Sequence, residues 1–274
     1  MSNKIAFIGV GNMATATLRG ITADSPDMSG IVLYNRHIEK IEKYRALGAH
    51  IATSLEEALI SAKYIMLCVK PQNFPEILEP LSRIEGVSEK IFISMAAGIT
   101  MQTVSNAACG AAVIRVMPNT PMLIGQGVIA VCRNDKVSDE DFQYVCSIFA
   151  SSGSVLKINE DEMDRIICVT GSSPAYVFMM IKAMFEGARE QGLLGEGSSL
   201  DEQDVVNAIC DTIIGAAELM KSDTKSPDEQ IATVASKGGT TERAIAELER
   251  FDFGGGIISA MEKCTARADE LGKK

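Results

Sequence analysis

The chain is 274 residues long, 46% apolar and 23% charged, with a formal net charge of −10. That length holds one large domain or two ordinary ones, with room for a sizeable core. The acidic balance speaks against a nucleic-acid or anionic-membrane surface. No unbroken apolar run approaches about 20 residues, so no bilayer span is expected.

The opening Met1–Ala14, MSNKIAFIGVGNMA, runs from a short apolar stretch into glycines. This predicts a first strand and not a secretory leader. Further strands are predicted over Ile31–Asn35, Tyr64–Val69, Ile91–Ser94, Val113–Met117 and Val128–Cys132, after Ile5–Gly9. Helical patterns lie between them at Met13–Ala23, Ile38–Leu47 and Leu55–Ser61. The last of these opens on Ser54-Leu-Glu-Glu57, the pattern of a capping box. Strand–helix alternation at this spacing predicts parallel strands covered by helices on both faces, a doubly wound α/β sheet of the Rossmann type.

From about Met163 the pattern changes. Ala175–Gln191, Leu200–Lys221, Thr240–Glu249 and Gly256–Leu271 carry apolar residues at helical spacing, and strand-like alternation disappears. Small residues such as Ile213-Ile-Gly-Ala-Ala217 permit close helix packing. An all-helical second domain over 163–274 is therefore expected after an α/β domain over 1–162.

Seven cysteines (68, 109, 132, 146, 168, 210 and 264) are scattered without a CxxC pair, which suits reduced cytoplasmic thiols packed as small hydrophobes. Only two histidines are present, His37 and His50. No metal site is expected.

Gly9-Val-Gly11-Asn12-Met13-Ala14 follows the first strand and opens the first helix. Gly9 permits a tight turn, Gly11 lets backbone approach a pyrophosphate, and Ala14 keeps helix and strand close. The helix start then offers amides to phosphate. A glycine turn without a ligand is the bland alternative, but the strand–turn–helix context favours a dinucleotide. The second strand ends in Asn35-Arg36 where NAD-binding sites usually carry a carboxylate. A guanidinium beside a neutral amide suits a 2′-phosphate, so NADPH is expected, with NADH the weaker cofactor. Arg36 is also readable as a solvated turn residue near Glu39. Val69-Lys70-Pro71 and Ala96-Ala97-Gly98 fall at strand ends that would face the cofactor, although a surface lysine after a strand is the more common case for Lys70.

The segment Ser236-Lys-Gly238-Gly239-Thr240-Thr241 precedes a helix at once. Its glycines let the backbone curl, so that free N–H groups and hydroxyls converge on one point. A small carboxylate is the natural ligand; an ordinary capped helix is the alternative.

With these residues the whole chain resembles the pyrroline-5-carboxylate reductase family. The matching landmarks run in order: Phe7–Ala14, Val69-Lys70-Pro71, Ala96-Ala97-Gly98, Arg115–Pro121 (RVMPNTP), Gly171–Tyr176 (GSSPAY) and Ser236–Thr241. The resemblance implies a Rossmann domain and a helical dimerisation domain, hence a homodimer or a larger homo-oligomer. It implies reduction of Δ1-pyrroline-5-carboxylate to proline, the closing step of proline biosynthesis. It further implies that Ser236 and the Gly239–Thr241 amides, with Gly238, hold the substrate carboxylate, often facing a cofactor from the other subunit, with Thr241 near the ring nitrogen. Lys237 departs from the family's usual proline and Ser173 from its glycine. The family also often has asparagine near Leu55, so that cofactor contact is in doubt.

The chemistry agrees with the residue inventory. Carbonyl reduction needs an acid as the alkoxide forms, whereas a cyclic imine nitrogen carries its proton in water. Orientation then supplies most of the rate, and the helical half contains no histidine. A β-hydroxyacid dehydrogenase is the nearest rival, but after Gly171-Ser-Ser-Pro174 the first lysine is Lys182, too far along. A non-catalytic NADP-binding sensor would not need both Ser236 and Thr241.

Overall fold

The computed structural model describes residues 4–22 and 25–272. These form two compact units: an α/β unit reaching to Ser172 and joined by the chain from Lys263, and a helical unit over Ser173–Glu262. The expected boundary after residue 162 lies earlier, ahead of a π-helical turn at Ile167–Gly171.

The α/β unit is built on strands β1 (Ile5–Ile8), β2 (Ile31–Tyr34), β3 (His50–Ile51), β4 (Tyr64–Leu67), β5 (Ile91–Ser94), β6 (Ala112–Met117), β7 (Gly127–Arg133) and β8 (Gly153–Lys157). They form one sheet in the order β3-β2-β1-β4-β5-β6-β7-β8. Every residue of β1, β4 and β5 is buried, as a sheet covered on both faces requires. Side chains alternate between two cores. Phe7, Leu33, Met66, Ile93 and Val116 meet Ala14 and Leu18 of α1 (Asn12–Ile21) on one face. Ile8, Val32, Leu67, Phe92 and Val113 meet Ala58 of α2 (Leu55–Ile60), Phe74 of α3 (Phe74–Leu78) and Val104 of α4 (Met101–Ala107) on the other. Removing a side chain such as Phe7 from this core costs about 3–5 kcal/mol.

Three local expectations need correcting. The sheet is not wholly parallel, because β7 runs antiparallel to β6, with Met117 opposite Ala130. Only residues 118–126 join them, too short for a crossover helix, and Gly125 at φ +74° closes the reversal. The segment Ile38–Leu47 is not an α-helix but two 3₁₀ turns, Ile38–Lys40 and Glu42–Leu47. Its apolar residues Ile38, Ile41, Tyr44 and Leu47 recur every third position, which is the 3₁₀ repeat; Ile41 and Tyr44 are buried. The capping box at α2 is only half formed. Ser54 Oγ accepts from Glu57 N–H, but the Glu57 carboxylate accepts from Thr53 N–H and Oγ1, both at 2.7 Å. The expected end of the first helix at Ala23 lies outside the described residues; α1 is helical to Ile21.

After α5 (Asp139–Ala150) and β8, the helical unit comprises α6 (Ser173–Glu190), α7 (Glu202–Ser222), α8 (Pro227–Val234), α9 (Thr240–Arg250) and the first part of α10 (Phe253–Gly272). Helix α8 escaped the periodicity, although Ser226-Pro227 with Glu229 marks its start as a reciprocal capping box. Val205 and Ile209 are the buried apolar residues of this unit among those described, while Phe178, Met179, Ile214, Val234 and Phe251 stand largely exposed. The helical stretch Ile167–Glu190 is long and apolar enough, by length and composition, to cross a membrane, and only 6% of its apolar window is buried. Counting unbroken apolar runs overlooked it because polar residues such as Ser172 and Ser173 punctuate it.

Candidate active site

The order of the sheet reverses between β1 and β4. Their carboxyl ends therefore leave a crevice, the place where such sheets bind ligands. The structure brings the cofactor-site candidates to this edge. Gly9 N–H donates to Tyr34 O (2.8 Å), Cys68 N–H to Ile8 O (2.9 Å) and Met95 N–H to Leu67 O (3.3 Å). Those bonds draw the loops after β1, β2, β4 and β5 into one row.

Gly9 lies at φ +87°, and a Cβ there would stand 2.8 Å from Val69 Cγ1 and 3.3 Å from Val69 N. Only glycine lets the two loops approach so closely. At Gly11 the reverse holds: a Cβ would meet nothing within 4 Å. Gly11 is the N-cap of α1, which has no side-chain cap and no acidic residue in its first turn. The first-turn amides of Asn12 and Met13 thus have neither an intrahelical acceptor nor a side-chain cap at the positive end of a helix, and this turn fits a dinucleotide pyrophosphate. Ala14 itself is fully buried against the sheet.

A cleft of about 320 Å³ beside the glycine turn is lined by Gly9, Asn35, Arg36, Val69 and Glu76, with Leu55 at its wall. Asn35 Oδ1 accepts from Val10 N–H (3.3 Å) and Nδ2 donates to His37 O (2.9 Å), so the amide fixes the glycine loop to the end of β2. Arg36 does not pair with Glu39. Its Nη2 donates to Glu76 Oε2 at 2.6 Å. Lys70 is exposed and caps the turn Pro71–Asn73. Ala96 is buried and Ala97 half-buried at the end of β5, where Gly98 turns the chain at φ +75°.

Beneath that turn lies a polar cluster that sequence reasoning did not find. Arg115, 1% exposed in β6, holds Asp164 at 2.6 Å and Glu160 at 3.8 Å. Asp164 also accepts from Gly98 N–H (3.3 Å), and Glu160 from Met101 N–H (2.6 Å). One buried cation thereby fixes both ends of the loop that leads from Ala96 to α4. Burial, and next the Glu160 charge, pushes the nearby Cys132 thiol up to about 12. An arginine between Ile114 and Val116 was itself the signal, since a buried cation demands counter-charges. The acidic run 160–164 supplies them.

The substrate-site candidates lie together in the helical unit. Gly238 adopts φ +78°, and Gly239 is the N-cap of α9, with no side-chain cap. A Cβ on Gly239 would stand 2.7 Å from Ser236 Oγ and 2.9 Å from Ser236 O. Gly239 N–H closes this turn onto Ser236 O at 2.9 Å. Glu242 folds back so that its carboxylate accepts from Gly238 N–H at 2.7 Å. The turn therefore already holds a carboxylate, its own. Ser236 and Thr240 are exposed, and Thr241 is half-buried at the rim of an apolar groove of about 430 Å³ formed with Leu219, Ile231, Val234 and Ile245. Lys182, the lysine considered for a hydroxyacid chemistry, is 75% exposed and 3.7 Å from Glu186.

A doubly wound sheet with a glycine turn at its switch point, followed by a helical unit, defines an oxidoreductase of the nicotinamide-dinucleotide class. Comparison with known proteins narrows this. Residues 4–98 match the family described as NADP oxidoreductase, coenzyme F420-dependent, and residues 160–271 the family described as pyrroline-5-carboxylate reductase dimerisation. The chain is 34% identical to the pyrroline-5-carboxylate reductase of Corynebacterium melassecola, over 98% of both chains. It superposes with a TM-score of 0.87 on a Plasmodium falciparum pyrroline carboxylate reductase solved with NADP bound, at 25% identity over 99% of each chain. The Streptococcus pyogenes enzyme gives a TM-score of 0.86 at 29% identity, over 97% of this chain and 98% of that one. The chain belongs to the pyrroline-5-carboxylate reductase family.

Proposed function

We propose that this protein reduces Δ1-pyrroline-5-carboxylate to L-proline with NADPH, and with NADH less well, its substrate carboxylate held by Ser236 and the turn Gly238–Thr241. The observation that carries the substrate assignment is the start of α9: an uncapped helix opening on two glycines, with hydroxyls on both sides. The first-turn N–H groups of a helix have no intrahelical partner, so Thr240, Thr241 and Glu242 present amides and a partial positive charge to an anion. The arriving carboxylate takes Gly238 N–H from Glu242. Lys237, where the family usually has proline, adds a cation beside it. The Thr241 hydroxyl stands beside the ring nitrogen and accepts a hydrogen bond from its N–H.

Bound NADPH supplies the hydride, and Gly9, Gly11, Asn12, Met13, Ala14, Asn35, Arg36, Val69, Lys70, Pro71, Ala96, Ala97 and Gly98 line its place. With the imine nitrogen already protonated, the protein's residues mainly orient and exclude water. Neither histidine lies in the helical unit, which suits this chemistry.

The protein is a homo-oligomer, and its helical units pair two copies. Phe178 (61% exposed), Met179 (71%) and Phe251 (69%) leave apolar side chains exposed that pairing of two copies would cover. The apolar stretch Ile167–Glu190 thus faces a partner subunit and not lipid. A cytoplasmic enzyme with neither membrane nor nucleic-acid partners fits the net charge of −10. Loss of NADPH absorbance with Δ1-pyrroline-5-carboxylate, and none of NADPH formation from 3-hydroxyacids with NADP+, is the expected result. Turnover of hydroxyacids alone would refute the assignment.

A further inference from the structure

The cleft beside β2 holds a carboxylate where a 2′-phosphate site would be expected to hold only cations. Glu76, in the first turn of α3, lines the same cleft as Asn35 and Arg36. Its Oε2 lies 2.6 Å from Arg36 Nη2, with the two side chains 65% and 64% exposed. The two residues stand 40 positions apart in sequence, so the pairing is a product of the fold and not of one turn. Asn35 spends both ends of its amide on the backbone of Val10 and His37, and His37 faces Glu39 at 3.4 Å. The charged groups lining this end of the cleft are therefore the Arg36 guanidinium and the Glu76 carboxylate.

We propose that Glu76 is a specificity-determining residue of the cofactor site, which competes with a 2′-phosphate for Arg36 and offers an acceptor to a bare ribose 2′-hydroxyl. The inference rests on reading this cleft as the adenosine end of the dinucleotide site. A phosphate must take the guanidinium from the carboxylate and then lie near a like charge. A hydroxyl donates to that carboxylate, which can only accept. Glu76 thereby narrows the preference for NADPH over NADH that Arg36 alone would impose. The exposed Arg36–Glu76 pair is weak enough to be opened by a doubly charged ligand.

The test is calorimetric titration of the cofactor-free protein with NADP+ and with NAD+, comparing wild type, Glu76→Gln and a control, Glu79→Gln, outside the cleft. Glu76→Gln should tighten NADP+ by about two- to fivefold, the range that an exposed ion pair commands, and leave NAD+ unchanged or weaker. The Kd ratio of NAD+ to NADP+ therefore rises, and Glu79→Gln leaves it in place. Initial rates with Δ1-pyrroline-5-carboxylate should show the same change in the KM for NADPH at constant kcat. A ratio that stays constant in Glu76→Gln, or that rises equally in Glu79→Gln, overturns the role of Glu76 while leaving the cofactor site intact. If wild type binds neither nucleotide, the cleft assignment falls and the role of Glu76 falls with it.

Discussion

The two glycines of the first turn respond to the same substitution in opposite ways. In Gly9→Ala the new Cβ carries a left-handed backbone penalty of roughly 1–2 kcal/mol. It also presses on Val69, whose Cγ1 at 2.8 Å can rotate but whose N at 3.3 Å cannot. Overpacking of this kind adds roughly 1–3 kcal/mol. The total of about 2–5 kcal/mol lowers the melting temperature by on the order of 10 °C. In Gly11→Ala the Cβ meets no atom within 4 Å and φ is −96°, so stability falls by less than about 1 kcal/mol. The methyl group instead fills the approach to the α1 amides. Loss of the bonds they would give a charged phosphate is worth about 1.5–3 kcal/mol, roughly ten- to a hundredfold in NADP+ affinity. Thermal melts and NADP+ titrations on both variants measure the contrast. Wild-type NADP+ binding by Gly11→Ala would refute the placement of the pyrophosphate, and an unshifted melt for Gly9→Ala would refute the steric argument.

Asp164→Asn should destabilise the α/β unit by about 3 kcal/mol in urea unfolding, the lower end of the range for a broken buried pair, because Glu160 remains beside Arg115. Thr241→Ala should lower imine turnover without altering NADP+ affinity; unchanged kinetics would remove Thr241 from the reaction. Glu57 is held down at about 2, first by Thr53 N–H, then by the Thr53 hydroxyl and His50. A depressed carboxylate stabilises above its ordinary value of 4.5 and stops doing so as pH falls through its lowered one. The difference in melting temperature between wild type and Glu57→Gln should therefore be full above about pH 5 and close toward pH 2; a difference independent of pH would contradict this.

The parts of the fold legible in the sequence are those whose burial repeats with a strand or helix period. Strand β5 is read to the residue, since Ile91–Ser94 is a short apolar run covered on both faces. A strand of two residues such as β3 contains no period to read. In Ile38–Leu47 the spacing by threes was present but resembled a helix, because residues three apart share a face in both the 3₁₀ and the α form. The direction of β7 depends on the length of a connection, not on the strand's own residues. Polar partners are harder still. Arg36 has Glu39 close in sequence, yet it reaches Glu76 on a different element, and Arg115 finds Asp164 49 positions later. Such pairs follow from the order of strands in the sheet, which no local pattern encodes.

The helix starts themselves separate the proposed site from its scaffold. Helices α2, α4, α5, α7 and α8 begin on Ser54, Thr100, Ser138, Asp201 and Ser226, and in each the side chain accepts a bond from a first-turn amide. Helices α1, α3 and α9 carry no such bond; the five-residue α3 begins on Asn73 and has Pro75, which lacks an N–H, in its first turn, whereas α1 and α9 begin on glycine, Gly11 and Gly239. A side-chain cap is worth about 1 kcal/mol, so the protein forgoes stability at these two ends. A serine at Gly11 would restore a cap and put its side chain into the space left for a pyrophosphate. A side chain at Gly239 would collide with Ser236. The amides left without a side-chain cap at the two glycine starts are those to which the proposed reaction assigns its two anions, the dinucleotide phosphates and the imino-acid carboxylate. Under the proposed function, glycine at both caps serves binding at the expense of the local preference for a stable helix start.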